Sequence, residues 1–222
     1  MDPAALRLSL ALATLTTAAL LALGLPLAQW LATSRSRARP VVEAVVALPL
    51  VLPPTVLGFY LLVAFAPRAP LGRGFAALLG HPLAFSFEGL LLASILYSLP
   101  FAVQPFAAAL ARVDVRLVEA SYALGAGRVE TFLRVSLPLA RPGVVAGAVL
   151  AFAHTVGEFG VVLMVGGNVP GQTRTLSIAL FDAVEQLDWA AAHRTSLVLL
   201  ALSFAALVAT HALQRRPPSA RP

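Results

Sequence analysis

Residues 112–141 read RVDVRLVEASYALGAGRVETFLRVSLPLAR. Val113, Leu117, Ala120 and Leu124 recur at helical spacing with Asp114, Arg116 and Glu119 between them, which predicts a short amphipathic helix. Gly125 and Gly127 break that helix, and a second short one is expected from about 128 to 135. Pro138, Pro142 and Gly143 are expected to turn the chain back into apolar surroundings. Two short helices meeting at a glycine form a knuckle able to fit a groove on a partner. On pattern alone, an amphipathic hairpin lying on a lipid surface reads equally well.

The stretches on either side carry almost no charge. A bilayer-crossing helix needs about 20 predominantly apolar residues. Leu8–Ser34, Ala44–Pro67, Gly89–Ala111 and Thr195–Gln214 are each uncharged, and Pro142–Gly166 is interrupted only by Glu158. Five spanning helices are therefore expected, at about 6–32, 41–66, 87–111, 142–166 and 194–213. They make one all-α transmembrane domain over 6–214, followed by a short cytoplasmic tail at 215–222. Composition agrees: of 222 residues 59% are hydrophobic and 12% charged, where soluble domains carry about 25% charge. Mean hydropathy is +0.86. A soluble enzyme is excluded.

Cysteine is absent, which removes disulfides, thiolate catalysis, iron–sulfur clusters and cysteine-type zinc sites. No metal site is expected. Lysine is also absent, so all sixteen basic residues are arginine. Without it neither a phosphate-binding P-loop nor a Schiff-base enzyme can be built. The chain is expected to hold no catalytic residue, and any ATP it depends on must be bound, with Mg, by another polypeptide. A net charge of +6 and a pI near 11.2 fit arginine-rich cytoplasmic loops. They do not point to nucleic acid, because no basic stripe with interleaved aromatics is present.

The arginines also give an orientation. Arg35, Arg37, Arg39, Arg112, Arg116, Arg128, Arg134, Arg141, Arg215, Arg216 and Arg221 fall on one side of the spans. Arg7, Arg68, Arg73, Arg174 and Arg194 fall on the other. The richer side is expected in the cytoplasm, with the N-terminus outside and the C-terminus inside. The first span reads as a retained helix, since Asp2 precedes the first arginine and its uncharged run far exceeds a signal-peptide core. No 20–50-residue repeat is visible.

At this point the residues resemble a family. Glu119-Ala120-Ser121, then Gly125, then Val135, then Leu137-Pro138 are similar to the Glu-Ala-Ala loop of ATP-binding-cassette import permeases, written Glu-Ala-Ala-x3-Gly-x9-Ile-x-Leu-Pro. Ser121 and Val135 depart from it, both preserving size. Leu48-Pro-Leu-Val-Leu-Pro-Pro54 with Gly58, Gly157-Glu-Phe-Gly160, and Gly167-Asn-Val-Pro-Gly-Gln-Thr-Arg-Thr-Leu176 resemble segments of the molybdate subfamily. Sulfate and tungstate permeases have similar stretches. The resemblance implies a multi-pass subunit of a bacterial inner membrane with the type I importer fold. It also implies a permease homodimer, two ATP-binding subunits docked on the loop, and a periplasmic or extracellular oxyanion-binding protein delivering cargo. The rival of another class is an ion-gradient-driven secondary transporter, which has no use for such a loop.

Several residues inside the spans are unusual. Pro49, Pro53 and Pro54 each remove a backbone donor and disfavour helix before them. They make either a pathway-lining break or a static kink packed on a neighbour. Glu158 lies well inside the hydrocarbon depth, one helical turn beyond His154, which predicts a charge-assisted pair near a gate. A proton relay is the other functional reading. The external loop 166–176, which holds Asn168, reads either as an anion nest, its glycines turning backbone N–H groups toward the ligand and Arg174 attracting a dianion or an acidic binding protein, or as a plain exposed turn. Asp182, Glu185 and Asp188 face a partner's basic rim or solvate the surface.

Overall fold

The computed structural model describes residues 2–214, so the tail expected at 215–222 lies outside the described residues. In chain order the helices are α1 (Pro3–Thr33), α2 (Arg39–Val51), α3 (Pro54–Phe65), α4 (Pro70–Leu79), α5 (Phe87–Leu110) and α6 (Val115–Ala123). They continue with α7 (Arg128–Thr131), α8 (Leu137–Gly157), α9 (Gly160–Gly166), α10 (Leu176–Glu185) and α11 (Trp189–Gln214). One π-helical turn, Phe132–Ser136, joins α7 to α8.

α1 starts where the Asp2 carboxylate accepts the N–H groups of Ala4 and Ala5 at 2.8 and 3.2 Å. Pro3 occupies the first turn, where its missing N–H costs nothing. Its 31 residues reach about 46 Å at 1.5 Å each, ample for a hydrocarbon core of about 30 Å. Buried Leu12, Thr16, Leu20, Gly24, Ala28 and Leu31 recur at three- and four-residue spacing. This stripe packs on α5 and α8. α1 and α5 run in the same direction. Arg7 and Leu8 share a cavity with Phe87 and Glu88 at one end, and Gly24 meets Val103 and Phe106 near the other. The ring of Phe106 is fully buried between Gly24 and Gly147. A Cβ on Gly147 would lie 2.8 Å from that ring, so only glycine lets α8 approach α5 this closely.

Four helices are long and apolar enough to cross a bilayer: Pro3–Thr33, Phe87–Leu110, Arg128–Gly157 and Trp189–Ala212. The second expected span is not one helix. It is α2 and α3 meeting at 110°, and this pair makes the fifth crossing if it counts as one. Leu52 and Pro53 are extended (ψ 135° and 136°), because Pro53 offers no donor and pushes Leu52 out of the helical region.

The fourth expected span, 142–166, is corrected at both ends. No turn forms at Pro138, Pro142 and Gly143, and the helix instead runs unbroken from Arg128 to Gly157. In the π turn the Leu137 N–H bonds the Phe132 carbonyl. The four-residue ladder is already interrupted there, so Pro138 enters the first turn of α8 at little cost. Gly143 serves contact rather than turning: a Cβ there would sit 2.5 Å from that of Ala109. At its C-terminal end the span breaks between α8 and α9, where Glu158 is extended (ψ 136°). The last span begins earlier than expected, at Trp189. α4 and α10 were not anticipated, although Pro70, Gly80 (φ +78°) and the Thr175 N-cap punctuate them.

The Gly147–Phe106 contact yields a test. Gly147→Val should overpack the bundle at a cost of about 1–3 kcal/mol and lower the thermal unfolding temperature of the purified protein. Gly127→Ala, where nothing lies within 4 Å of the added atom, should leave it unchanged.

Candidate coupling surface and translocation path

The amphipathic pattern of residues 112–141 becomes a knuckle. Asp114 caps α6 by accepting the Arg116 N–H at 2.9 Å. At the other end Gly125 has φ +88°, a conformation that costs any side chain with a Cβ. The Gly125 and Ala126 N–H groups bond the carbonyls of Tyr122 and Ser121 at 2.9 and 3.1 Å, closing the helix end. Gly127 then opens α7. The Ser121 hydroxyl lies 2.9 Å from that of Thr131 and ties the two helices together. Glu130 pairs with Arg134 at 2.8 Å. Ser121, Leu124, Gly125, Ala126, Glu130, Arg134 and Val135 line a depression of about 360 Å³.

α6 has no buried residue; Glu119 and Ala120 are exposed on it. Leu124, outside every span, is 89% exposed, and Val129, in the first turn of the Arg128–Gly157 helix, is 72% exposed. Leu137 and Pro138 belong instead to the start of α8, where Leu137 packs against the main core.

The proline-rich break and the Gly-Glu-Phe-Gly break come together. A Cβ on Gly160 would be 2.7 Å from the Cβ of Pro54, and one on Gly58 would be 2.7 Å from that of Met164. Pro49 lies within α2 and Pro53 precedes α3. Gly157, the last residue of α8, is exposed with open space around it.

The expected His154–Glu158 pair is absent. α8 ends between the two residues, so the one-turn relation is lost. His154 turns to α5, where it stacks on Phe101 with ring centres 3.8 Å apart and its Nδ1 lies 3.0 Å from the Ser98 Oγ. Ser98 also meets the Thr155 hydroxyl at 2.9 Å. The Glu158 carboxylate is buried, and neither oxygen has a hydrogen-bond partner. The Ser94 hydroxyl and the Val162 N–H are directed toward it without reaching bonding geometry. Ser177 donates to the Glu158 backbone carbonyl. Sequence reading missed Ser94, Ser98 and Ser177. The first two, four apart in an apolar run, carried a signal that was there to be read.

Loop 167–175 is held by side chains. Asn168 donates to both Asp182 carboxylate oxygens at 2.7 and 2.6 Å, and Arg174 Nε donates to the Asn168 side-chain oxygen at 2.6 Å. Arg174 also reaches Asp182 at 3.3 Å. Its charge is therefore engaged within the chain, with Asp182. Gly167 (φ +63°) and Gly171 (φ +75°) give the loop its turns.

Among the described residues, an all-helical bundle with four membrane-length helices, a bent fifth pair and an exposed knuckle is the architecture of a multi-pass membrane protein. The chain belongs to the family of binding-protein-dependent transport system inner membrane components, which it matches over residues 8–217. The molybdenum transport system permease protein ModB of Azotobacter vinelandii is 51% identical over 214 residues, covering 96% of this chain and 95% of that protein. ModB of Escherichia coli K12 is 38% identical over 178 residues, covering 80% and 78%. Among solved structures, the inward-facing MetNI methionine ABC transporter aligns with TM-score 0.68 and 19% identity over 95% of both chains. A bacterial alginate ABC transporter bound to its periplasmic protein aligns with TM-score 0.71 and 16% identity, over 95% of this chain and 76% of that one. At such identities these two speak for the fold.

The Asn168–Arg174–Asp182 network predicts that Arg174→Ala frees the loop. Limited proteolysis at 167–175 should quicken several-fold, and Asp182→Asn should have the same effect, while cleavage elsewhere is unchanged.

Proposed function

We propose that this chain is the membrane-spanning permease subunit of an ATP-driven molybdate importer. The observation that carries the reading is the exposed, glycine-hinged knuckle built on Glu119, Ala120, Ser121 and Gly125. It stands at the foot of a helix that leads without interruption to the Gly157 break. The identity to ModB proteins over nearly the whole chain supports molybdate as cargo.

The chain is the membrane component and not itself the ATPase. In our reading two copies pair, with residues 6–214 as the transmembrane domain, the N-terminus outside and the C-terminus in the cytoplasm. Each knuckle docks in a groove of an ATP-binding subunit, which holds ATP and Mg, and apolar Leu124 and Val129 fill that groove. ATP binding draws the knuckles together and opens the bundle outward. An external oxyanion-binding protein then delivers the dianion at the face carrying loop 167–175. The paired breaks at Pro53–Pro54 and Gly157–Gly160 form the gate, because unwound backbone at membrane depth is tolerated only against protein or a water-filled path.

Reconstituted alone, the chain should neither hydrolyse ATP nor accumulate molybdate. With the ATP-binding subunit and the binding protein it should show vanadate-sensitive uptake. Uptake by the chain alone under a proton gradient overturns the reading in favour of a secondary transporter. Gly125→Val strains the left-handed turn by about 1–3 kcal/mol and should insert normally yet lose substrate-stimulated ATPase activity about tenfold or more. Gly125→Asn, which tolerates that backbone better, should retain most of it.

A further inference from the structure

Among the described residues four buried side-chain oxygens have no hydrogen-bond partner: Thr16 Oγ1, Ser94 Oγ and both carboxylate oxygens of Glu158. They share one level of the bundle. Leu12, Leu90 and Val162 pack in a single cluster. Thr16 lies one turn further along α1, Ser94 one turn further along α5, and Glu158 four residues before Val162. α1 and α5 are parallel, and α9 runs against α5, with Gly166 on Leu90 and the Ser94 hydroxyl directed at Glu158. All three steps therefore lead the same way.

The two hydroxyls are also exceptional within this chain. Thr14, Thr17, Thr155, Thr195 and Thr210 each donate to the carbonyl four residues back, at 2.7–2.9 Å. Thr16 and Ser94 do not, although both are fully buried. Their oxygens stay free to face a common ligand.

We propose that Glu158, Ser94 and Thr16 bind a small alkali cation inside the bundle, with Na⁺ as the ion to test. The ligands are hard oxygens, suited to such an ion. One carboxylate neutralises one positive charge, whereas a divalent ion would leave a net charge in the hydrocarbon depth. The C-terminal end of α8 adds the negative end of its dipole at the break. Half-helix ends and unwound carbonyls are the backbone groups that hold small cations at membrane depth. Gly157, exposed and open beside Glu158, gives a way in. The ion holds the break shut by neutralising a carboxylate that has no ion-pair partner among the described residues.

The titratable side chain that faces this carboxylate is Tyr97 on α5, and His154 on α8 lies beyond it, against the Tyr97 ring. α9 carries none, α1 has only Asp2 and Arg7, more than two turns from Thr16, and Asp182 of α10 is taken up by Asn168 and Arg174.

The test is thermal unfolding of the purified full chain in detergent, in NaCl, KCl or choline chloride at equal ionic strength and at two pH values. Na⁺ should raise the unfolding temperature saturably, by about 3–6 °C at ten times its half-saturating concentration. Glu158→Gln should abolish the response. Ser94→Ala and Thr16→Val should each weaken half-saturation about 5–10-fold, and these two decide the matter if Glu158→Gln does not fold. An unfolding temperature indifferent to Na⁺ against choline overturns the proposal, as does a response unchanged in the variants. Stability that follows pH but not Na⁺ also overturns it, leaving a proton on Glu158 instead. None of these readouts uses cargo or ATP, so their failure and a failure of the transport reading are told apart.

Discussion

In hydrocarbon no water pairs a backbone N–H or C=O, so a spanning helix can be interrupted only where protein covers the interruption. This chain has two interruptions, and each covers the other. Pro54, at the start of α3, rests on Gly160, at the start of α9, with no room for a Cβ between them. One turn along α3 the same intimacy recurs between Gly58 and Met164. The bundle of α1, α5 and α8 supplies the wall behind, closed by the Gly24–Phe106–Gly147 contact. α3 and α9 thus behave as one packed pair carried between two breaks, and neither break is stable without the other.

The surface divides into two kinds of apolar exposure. Val41, Val45 and Val51 on α2, Phe59, Tyr60 and Val63 on α3, and Leu200 and Phe204 on α11 are exposed within membrane-length elements. Lipid or a neighbouring subunit covers such faces without further provision. Leu124 and Val129 are exposed on the knuckle, where the neighbouring side chains are Glu119, Arg128 and Glu130. Apolar tips set among charges call for a protein groove rather than acyl chains. Ser121, a departure from the family pattern, has a local reason: its hydroxyl meets that of Thr131 and braces the hinge.

Much of this was legible in the sequence because hydropathy and proline act locally. The uncharged runs matched the ends of α1 and α5 to within a few residues, and Pro53 marked the α2–α3 break. The knuckle followed from helical spacing ended by Gly125. What escaped was decided by partners distant in sequence. Pro138 and Pro142 read as a turn, yet the π turn before them lets the helix continue. Gly143 read as part of the same turn and proves to be a contact with Ala109. His154 and Glu158 were expected to pair as helical neighbours, but the helix ends at Gly157 and Glu158 is itself extended. Arg174 looked free because Asp182 joins it only once α10 folds back along the loop.

The unbroken run from Arg128 to Gly157 also fixes how motion travels. At 1.5 Å per residue its 30 residues form a stiff lever of about 45 Å, with the knuckle at one end and the Glu158 break at the other. No loop intervenes to absorb a displacement. A tilt of about 5° about one end moves the other by roughly 4 Å, about three-quarters of the 5.4 Å pitch of one helical turn. The widened turn at Phe132–Ser136 sits near the handle, so the lever's give lies beside the force and its rigid length lies beside the load.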